Sequence, residues 1–264
     1  MAEVPLLELK NIKKRFAAVQ VLRGVNMAVN AGEVTALVGD NGAGKSTLIK
    51  CLAGINQLDE GSIIWEGHEI HVPNPKAAAV AGIEFVYQDL ALCNNLDVVQ
   101  NMFLGRERRR GLFLDDQSME ADARTTLSSL AVTTVQSVRQ KVSGLSGGQR
   151  QSVAVAKAVM WNSKLVVLDE PTAALGVAQT KQVLALVRRL ADRGLGVLIV
   201  SHNLADVLSV ADSVAVLRLG VLVAQPRATG VNSRELVELI TTGQSSTWTG
   251  ARPVISVDAG ARDV

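Results

Sequence analysis

The stretch GDNGAGKST, residues 39–47, decides the fold. It follows the apolar run VTALV, residues 34–38, and opens TLIKCLAG, residues 47–54, whose apolar side chains recur at helical spacing. Gly39, Gly42 and Gly44 let the backbone curl until successive N–H groups point inward, and a helix starting near Lys45 adds its positive end. Strand, glycine loop and helix in that order make a seat for a polyphosphate. The spacing G-x-x-x-x-G-K-[ST] places Lys45 for the β- and γ-phosphates, the Ser46 hydroxyl for Mg²⁺ and Thr47 for the α-phosphate. Asn41, inside the loop, completes the nucleotide-binding set.

A second stretch, KLVVLDEPTAALG at residues 164–176, supplies carboxylates. An apolar strand, residues 165–168, ends in Asp169 and Glu170, and open α/β sheets gather their ligand groups at the carboxyl ends of strands. Asp169 is placed to reach Mg²⁺ through water, and Glu170 to orient or deprotonate an attacking water. Gln88, after GIEFVY, and His202, after GVLIVS, also sit just beyond strand ends. Gln88 is a candidate for the metal or the water, and His202 a donor to a γ-phosphate oxygen. His68 and His71 lack such placement and read as surface residues.

At 264 residues the chain can bury a large core, and 48% hydrophobic with 20% charged residues is a globular composition. A net charge of +2 is too mild to point to nucleic acid. The one dense cluster, GRERRRG at residues 105–111, reads as a solvated loop, with contact to a partner or lipid head groups as the alternative. Cys51 and Cys93 form no disulfide framework, and no apolar run reaches the ~18 residues of a membrane span. The expectation is a soluble, cytoplasmic chain whose membrane role comes through a partner.

Apolar runs at residues 34–38, 83–86, 165–168 and 197–200 alternate with amphipathic segments. TKQVLALVRRLADRG carries Val183, Val187 and Leu190 on one face and Gly194 at its end. SHNLADVLSVAD repeats the pattern with Leu204, Val207, Leu208 and Ala211. This predicts an α/β fold with a mostly parallel sheet. Residues up to about 70 are β-rich. Between residues 90 and 143 the alternation fades, and MEADARTTLSSLAV offers a helix with Ala123, Leu127 and Leu130 on one face, which predicts an inserted helical subdomain spanning about 90–160. The tail, residues 244–264, has no period.

The stretch LSGGQRQ, residues 145–151, is a second glycine loop. Ser146 and Gln149 have capping-box spacing, and Val153, Ala156, Lys157 and Met160 predict a helical stripe after them. Gly147 and Gly148 are expected to leave exposed N–H groups that another phosphate can approach. The loop contains no lysine, so it can grip a γ-phosphate but cannot organise a whole nucleotide with its metal.

Phe16, the Walker A loop at 39–47, Gln88, LSGGQRQ, the Walker B run at 165–170 and His202 together resemble the ATP-binding subunits of ABC transporters, over residues 16–243. The resemblance implies a P-loop NTPase core, an N-terminal antiparallel β subdomain and an inserted α-helical subdomain, with residues 1–243 as one nucleotide-binding domain. It implies a Mg²⁺-dependent ATPase that pairs head to tail, as a homodimer or with a separate nucleotide-binding domain. Ser146, Gly147, Gly148 and Gln149 then serve the opposite subunit's γ-phosphate, and Phe16 stacks on adenine. It further implies membrane permease subunits, contacted through Gln88 and the helical insert, a solute-binding protein, and a peripheral location on the cytoplasmic face of the cell membrane.

NMFLGRE and DEPTAALG are similar to the monosaccharide importers of the family. Gly176 stands where most of the family has an Asp, a departure that the sugar-importer branch shares. Many importers of that branch fuse two such domains, and this chain has one set. The alternative reading is a soluble ABC ATPase acting on nucleic acid or ribosomes, although tandem domains, long coiled-coil inserts and strongly basic surfaces are not evident. A small-molecule P-loop kinase leaves LSGGQRQ without a role.

Overall fold

The computed structural model describes residues 4–245. The tail reading falls almost wholly outside these residues. The first segments are strands β1 (Leu7–Phe16), β2 (Val19–Val29) and β3 (Val34–Val38), followed by helix α1 (Lys45–Leu52), strands β4 (Glu60–Trp65) and β5 (His68–Ile70), helix α2 (Pro75–Ala81) and strand β6 (Ile83–Val86). Helix α3 (Val98–Phe103), strands β7 (Arg109–Arg110) and β8 (Phe113–Leu114), and helices α4 (Asp116–Ser129) and α5 (Gly147–Val159) come next. The chain then alternates: β9 (Leu165–Asp169), α6 (Val177–Asp192), β10 (Gly196–Val200), α7 (Leu204–Val210), β11 (Ser213–Arg218), β12 (Val221–Ala224) and α8 (Ser233–Thr242).

Among the described residues, six strands form one sheet in the order β12-β11-β3-β10-β9-β6. All neighbours in it are parallel except β11 and β12. An antiparallel sheet, β2-β1-β4-β5, covers one side. The period of two along each central strand divides the interior. Val34, Ala36 and Val38 of β3, Val166 and Leu168 of β9, and Val197 and Ile199 of β10 face the core shared with the helices. Leu37, Leu165, Val167, Leu198 and Val200 face the core shared with α1 and the antiparallel sheet. A strand buried on both faces reads as a continuous apolar run, which is why these segments were legible.

Helix α6 buries Val183, Val187 and Leu190 as its spacing predicts, and Gly194 follows it in the left-handed region at φ 89°. Helix α5 departs from its predicted stripe. Every residue from Gln151 to Ala156 is buried, more than a full turn, so the helix is enclosed on all sides; Lys157 is only half-buried.

The basic cluster is also corrected. Arg109 and Arg110 pair with Leu114 and Phe113 in a two-stranded hairpin. Arg106 forms an ion pair with Glu84 at 3.1 Å and lies 5.1 Å over the Trp161 ring. Arg108 meets Asp122 at 2.6 Å and lies 5.6 Å over Phe103. Half of the arginines are thus structural links to residues far along the chain.

Candidate nucleotide site

The loop at 39–47 leaves β3 in the middle of the parallel sheet, between β11 and β10, where ligand sites of open α/β sheets arise. Its three glycines have φ of 155°, 81° and 108° at Gly39, Gly42 and Gly44, all in the region that L side chains rarely adopt. A Cβ on Gly39 would collide with the Leu217 carbonyl, and one on Gly44 would lie 2.9 Å from a Leu22 methyl. Lys45, 9% exposed, folds back so that Nζ donates to the Gly39 carbonyl at 2.6 Å and the Asp40 carbonyl at 3.0 Å. Burial pushes its pKa down, against the opposing pull of Glu170, Asp40 and Asp169.

Asp169 closes β9, the strand between β10 and β6. Burial first, and the adjacent Glu170 carboxylate second, push its pKa up, with Lys45 acting against them. Glu170 takes a left-handed conformation, φ 51°, pinned by its N–H donating to the Val200 carbonyl at 2.9 Å. That turn aims its carboxylate at His202, whose Nδ1 lies 2.9 Å from Oε1 and 2.8 Å from Oε2. Thr172 donates its hydroxyl to Asp206 Oδ2 at 2.9 Å and ties the next turn to α7.

Asn41, Gly42, Gly44, Lys45, Ser46 and Thr47 share one cavity of about 440 Å³ with Gln88, Asp169 and Glu170. His202 lies in an adjoining cavity of about 390 Å³ with Gly39, Asp40 and Asn41. The structure therefore gathers residues as far apart in sequence as Gly39 and His202 around one loop. Among the described residues no three His, Cys, Asp or Glu side chains cluster into a metal cage. The donors that do meet, a hydroxyl, an amide oxygen and a carboxylate, are hard oxygen ligands, and Mg²⁺ is held by one or two carboxylates together with substrate phosphates. The set fits Mg²⁺.

The second glycine loop stands outside this cavity. Ser146 caps α5, its Oγ accepting from Gln149 N–H at 3.3 Å while Gln149 Oε1 accepts from Ser146 N–H at 2.7 Å. The Gln149 amide also donates to the Thr134 carbonyl at 2.5 Å. Gly147 is exposed, but Gly148 is buried, contrary to the expectation of two open N–H groups. A Cβ on Gly147 would lie 3.0 Å from Leu175, and one on Gly148 would lie 3.1 Å from Gln179. Phe16 also lies outside the cavity, at the turn between β1 and β2, 43% exposed with the Lys14 ammonium 5.5 Å from its ring centroid. Val21 of β2 lines the cavity instead.

Two contributors escaped the sequence reading. Gln179 packs on Gly148 and accepts from Gly176 N–H at 3.2 Å; the G-x-x-Q spacing of a capping box was the available signal. Asn101, fully buried, accepts from Cys93 N–H at 2.7 Å and donates to the Cys93 and Asp97 carbonyls at 3.0 Å, holding the segment after Gln88 to α3. No sequence pattern marks it.

Residues 22–173, from β2 through the Walker B carboxylates, match the ABC transporter family. The chain belongs to that family. This ABC transporter chain is 44% identical over 236 residues to the xylose/arabinose import ATP-binding protein of Sulfolobus acidocaldarius, covering 89% of the chain and 94% of that protein. It is 46% identical to the fructose import ATP-binding protein of Rhizobium meliloti, over 83% and 87% of the two chains. The ribose import ATP-binding protein of Yersinia pestis is 40% identical over 91% of this chain, which spans only 47% of that relative. A crystal structure of an ATP-binding cassette of an ABC transporter in its ADP conformation superposes with a TM-score of 0.78 at 28% identity, over 91% and 96% of the chains. The ABC transporter fold is the α/β arrangement described above, and no helix among the described residues is long and apolar enough to cross a membrane.

Proposed function

We propose that this chain is the ATP-hydrolysing subunit of a sugar importer and that it works in head-to-tail pairs. One observation carries the pairing: the phosphate loop and the carboxylates share a cavity, whereas Ser146 and Gly147 present an exposed helix N-terminus elsewhere. A helix N-terminus with free N–H groups suits an anion, and the γ-phosphate held by a second copy supplies one.

In this reading Lys45 leaves its loop carbonyls for the β- and γ-phosphates. Ser46, Asp169 and Gln88 hold Mg²⁺, which neutralises phosphate charge when bound. Glu170 positions the attacking water, a role in which orientation contributes more than the basicity of a carboxylate. His202 uses Nδ1 on Glu170 and keeps Nε2 for a γ-phosphate oxygen; both contacts together require both ring nitrogens to be protonated. Phe16, exposed at a hairpin turn, is available to stack on adenine.

Import of a sugar is supported by the names of the relatives above, all of them import proteins. Those relatives favour transport over action on nucleic acid or ribosomes. Permease subunits and a solute-binding protein are the implied partners, at the cytoplasmic face of the membrane. Light scattering tests the pairing. ATP is expected to convert Glu170→Gln from monomer to dimer, and to leave the same chain carrying Ser146→Arg monomeric. Wild-type turnover by a species that stays monomeric would overturn the reading. Loss of xylose, fructose or ribose uptake in cells lacking the chain tests the substrate class.

A further inference from the structure

The β7–β8 hairpin presents a surface that nothing in the nucleotide chemistry uses. Leu112 is 97% exposed, Phe113 79% and Leu114 52%, three consecutive apolar side chains at the tip of a two-stranded projection. Such a run is costly in water unless a partner covers it. Arg110 pairs across the strands with Phe113 and Arg109 with Leu114, so two of the three apolar residues have an exposed arginine opposite them. Gly111, at φ 67°, makes the turn.

The base of the hairpin is fixed while the tip is bare. Asp115 N–H donates to the Arg108 carbonyl at 2.9 Å, and Arg108 itself is held by Asp122 and the Phe103 ring. Asp115 then caps α4 by accepting from Ser118 N–H at 3.2 Å. The projection is therefore a hydrogen-bonded wedge anchored at its base to the helical subdomain.

We propose that this wedge inserts into the headgroup layer of an anionic phospholipid membrane. Neighbouring residues of a strand point to opposite sides, so a rigid protein surface could cover one side of the tip but a fluid layer surrounds both. A stable protein interface buries roughly 800 Å² per partner, more than a three-residue tip offers. Arg109 and Arg110 match the phosphates, and the aliphatic stem of an arginine is able to enter the apolar layer while its guanidinium stays at the headgroups. Apolar tip and cationic collar are the pattern of an interfacial anchor. The wedge would orient the ATPase on the bilayer beside its permease.

Flotation of the whole chain with vesicles tests this without a permease, nucleotide or sugar, so its failure leaves the proposed import function standing. The wild-type chain is expected to float with phosphatidylethanolamine–phosphatidylglycerol vesicles and not with phosphatidylcholine vesicles. Replacing both arginines, Arg109→Gln with Arg110→Gln, is expected to lower the partition coefficient about 30-fold at low salt. The pair Leu112→Ser with Phe113→Ser is expected to lower it at least roughly tenfold, with ATP turnover unchanged because both side chains are exposed. In Leu112→Trp, brominated lipid should quench the new fluorescence. Equal flotation of wild type and either pair, indifference to lipid charge, or binding only when vesicles contain the permease would each overturn the proposal.

Discussion

The two glycine loops of this chain use the same residue for opposite reasons. In the loop at 39–47 the glycines are conformational: Gly39, Gly42 and Gly44 hold φ angles that a side chain would strain. In the loop at 145–151 neither Gly147 nor Gly148 has a positive φ, and both lie in the first turn of α5. There glycine permits close approach, since Leu175 and Gln179 occupy the space a methyl group would need. The first loop encloses a buried lysine beside two carboxylates; the second packs against the helix that follows those carboxylates. In the proposed function the contrast separates holding a phosphate from presenting a helix end to one; in the structure it links the second loop physically to the segment leaving Glu170.

The contrast can be sharpened in order of effect. Lys45→Ala should weaken ATP binding to the monomer by roughly 10²-fold, the scale of a lost charge-assisted contact. Gln149→Ala should leave monomer affinity unchanged. A fluorescent ATP analogue measures both, and comparable losses would erase the distinction between the loops. Next, Gly44→Ala should cost about 1–3 kcal/mol in urea unfolding, through its left-handed φ and its contact with Leu22.

Asp169→Asn tests the electrostatics that only the first loop has. The folded pKa of Asp169 is raised, so the native state binds more protons than the unfolded chain between the ordinary carboxylate pKa and the folded one. Stability therefore falls as pH rises through that window and stays reduced above it. Asp169→Asn should melt higher than wild type at neutral pH, and the gain should vanish once the pH falls below the ordinary carboxylate range. Calorimetry at the two pH values decides it. The smallest effect belongs to Gly148→Ala. Helix propensity contributes a gain of roughly 0.5–1 kcal/mol, and the tight contact with Gln179 offsets it, so unfolding should shift by little more than about 0.5 kcal/mol. A loss as large as that of Gly44→Ala would show that Gly148 is conformational after all.

The parts legible in the sequence were those whose cause is local. The phosphate loop, the Walker B run and helix α6 each announce themselves within about 15 residues, because strand burial, helical period and glycine spacing are short-range patterns. The errors came from long-range partners. Residues 105–111 read as a solvated loop because Glu84 and Asp122, which claim Arg106 and Arg108, are 22 and 14 residues away. Helix α5 read as amphipathic because its small residues, among them Ala154, Ala156 and Ala158, do not reveal that neighbours enclose it on all sides. Gly148 read as open because Gln179 lies 31 residues on.

By itself the sequence determined what each short segment is able to do: bind a phosphate, end a strand in carboxylates, cap a helix. Those abilities depend on backbone geometry and residue type, which neighbours in the chain specify. Only the tertiary structure decided which of them meet. It brought Gln88, Asp169, Glu170 and His202 to the loop after β3, and left Ser146 and Gly147 exposed outside the cavities that these residues line. Parallel strand order sets that grouping, and strand order follows from how two apolar faces are buried at once, a property of the whole chain that no window of it contains.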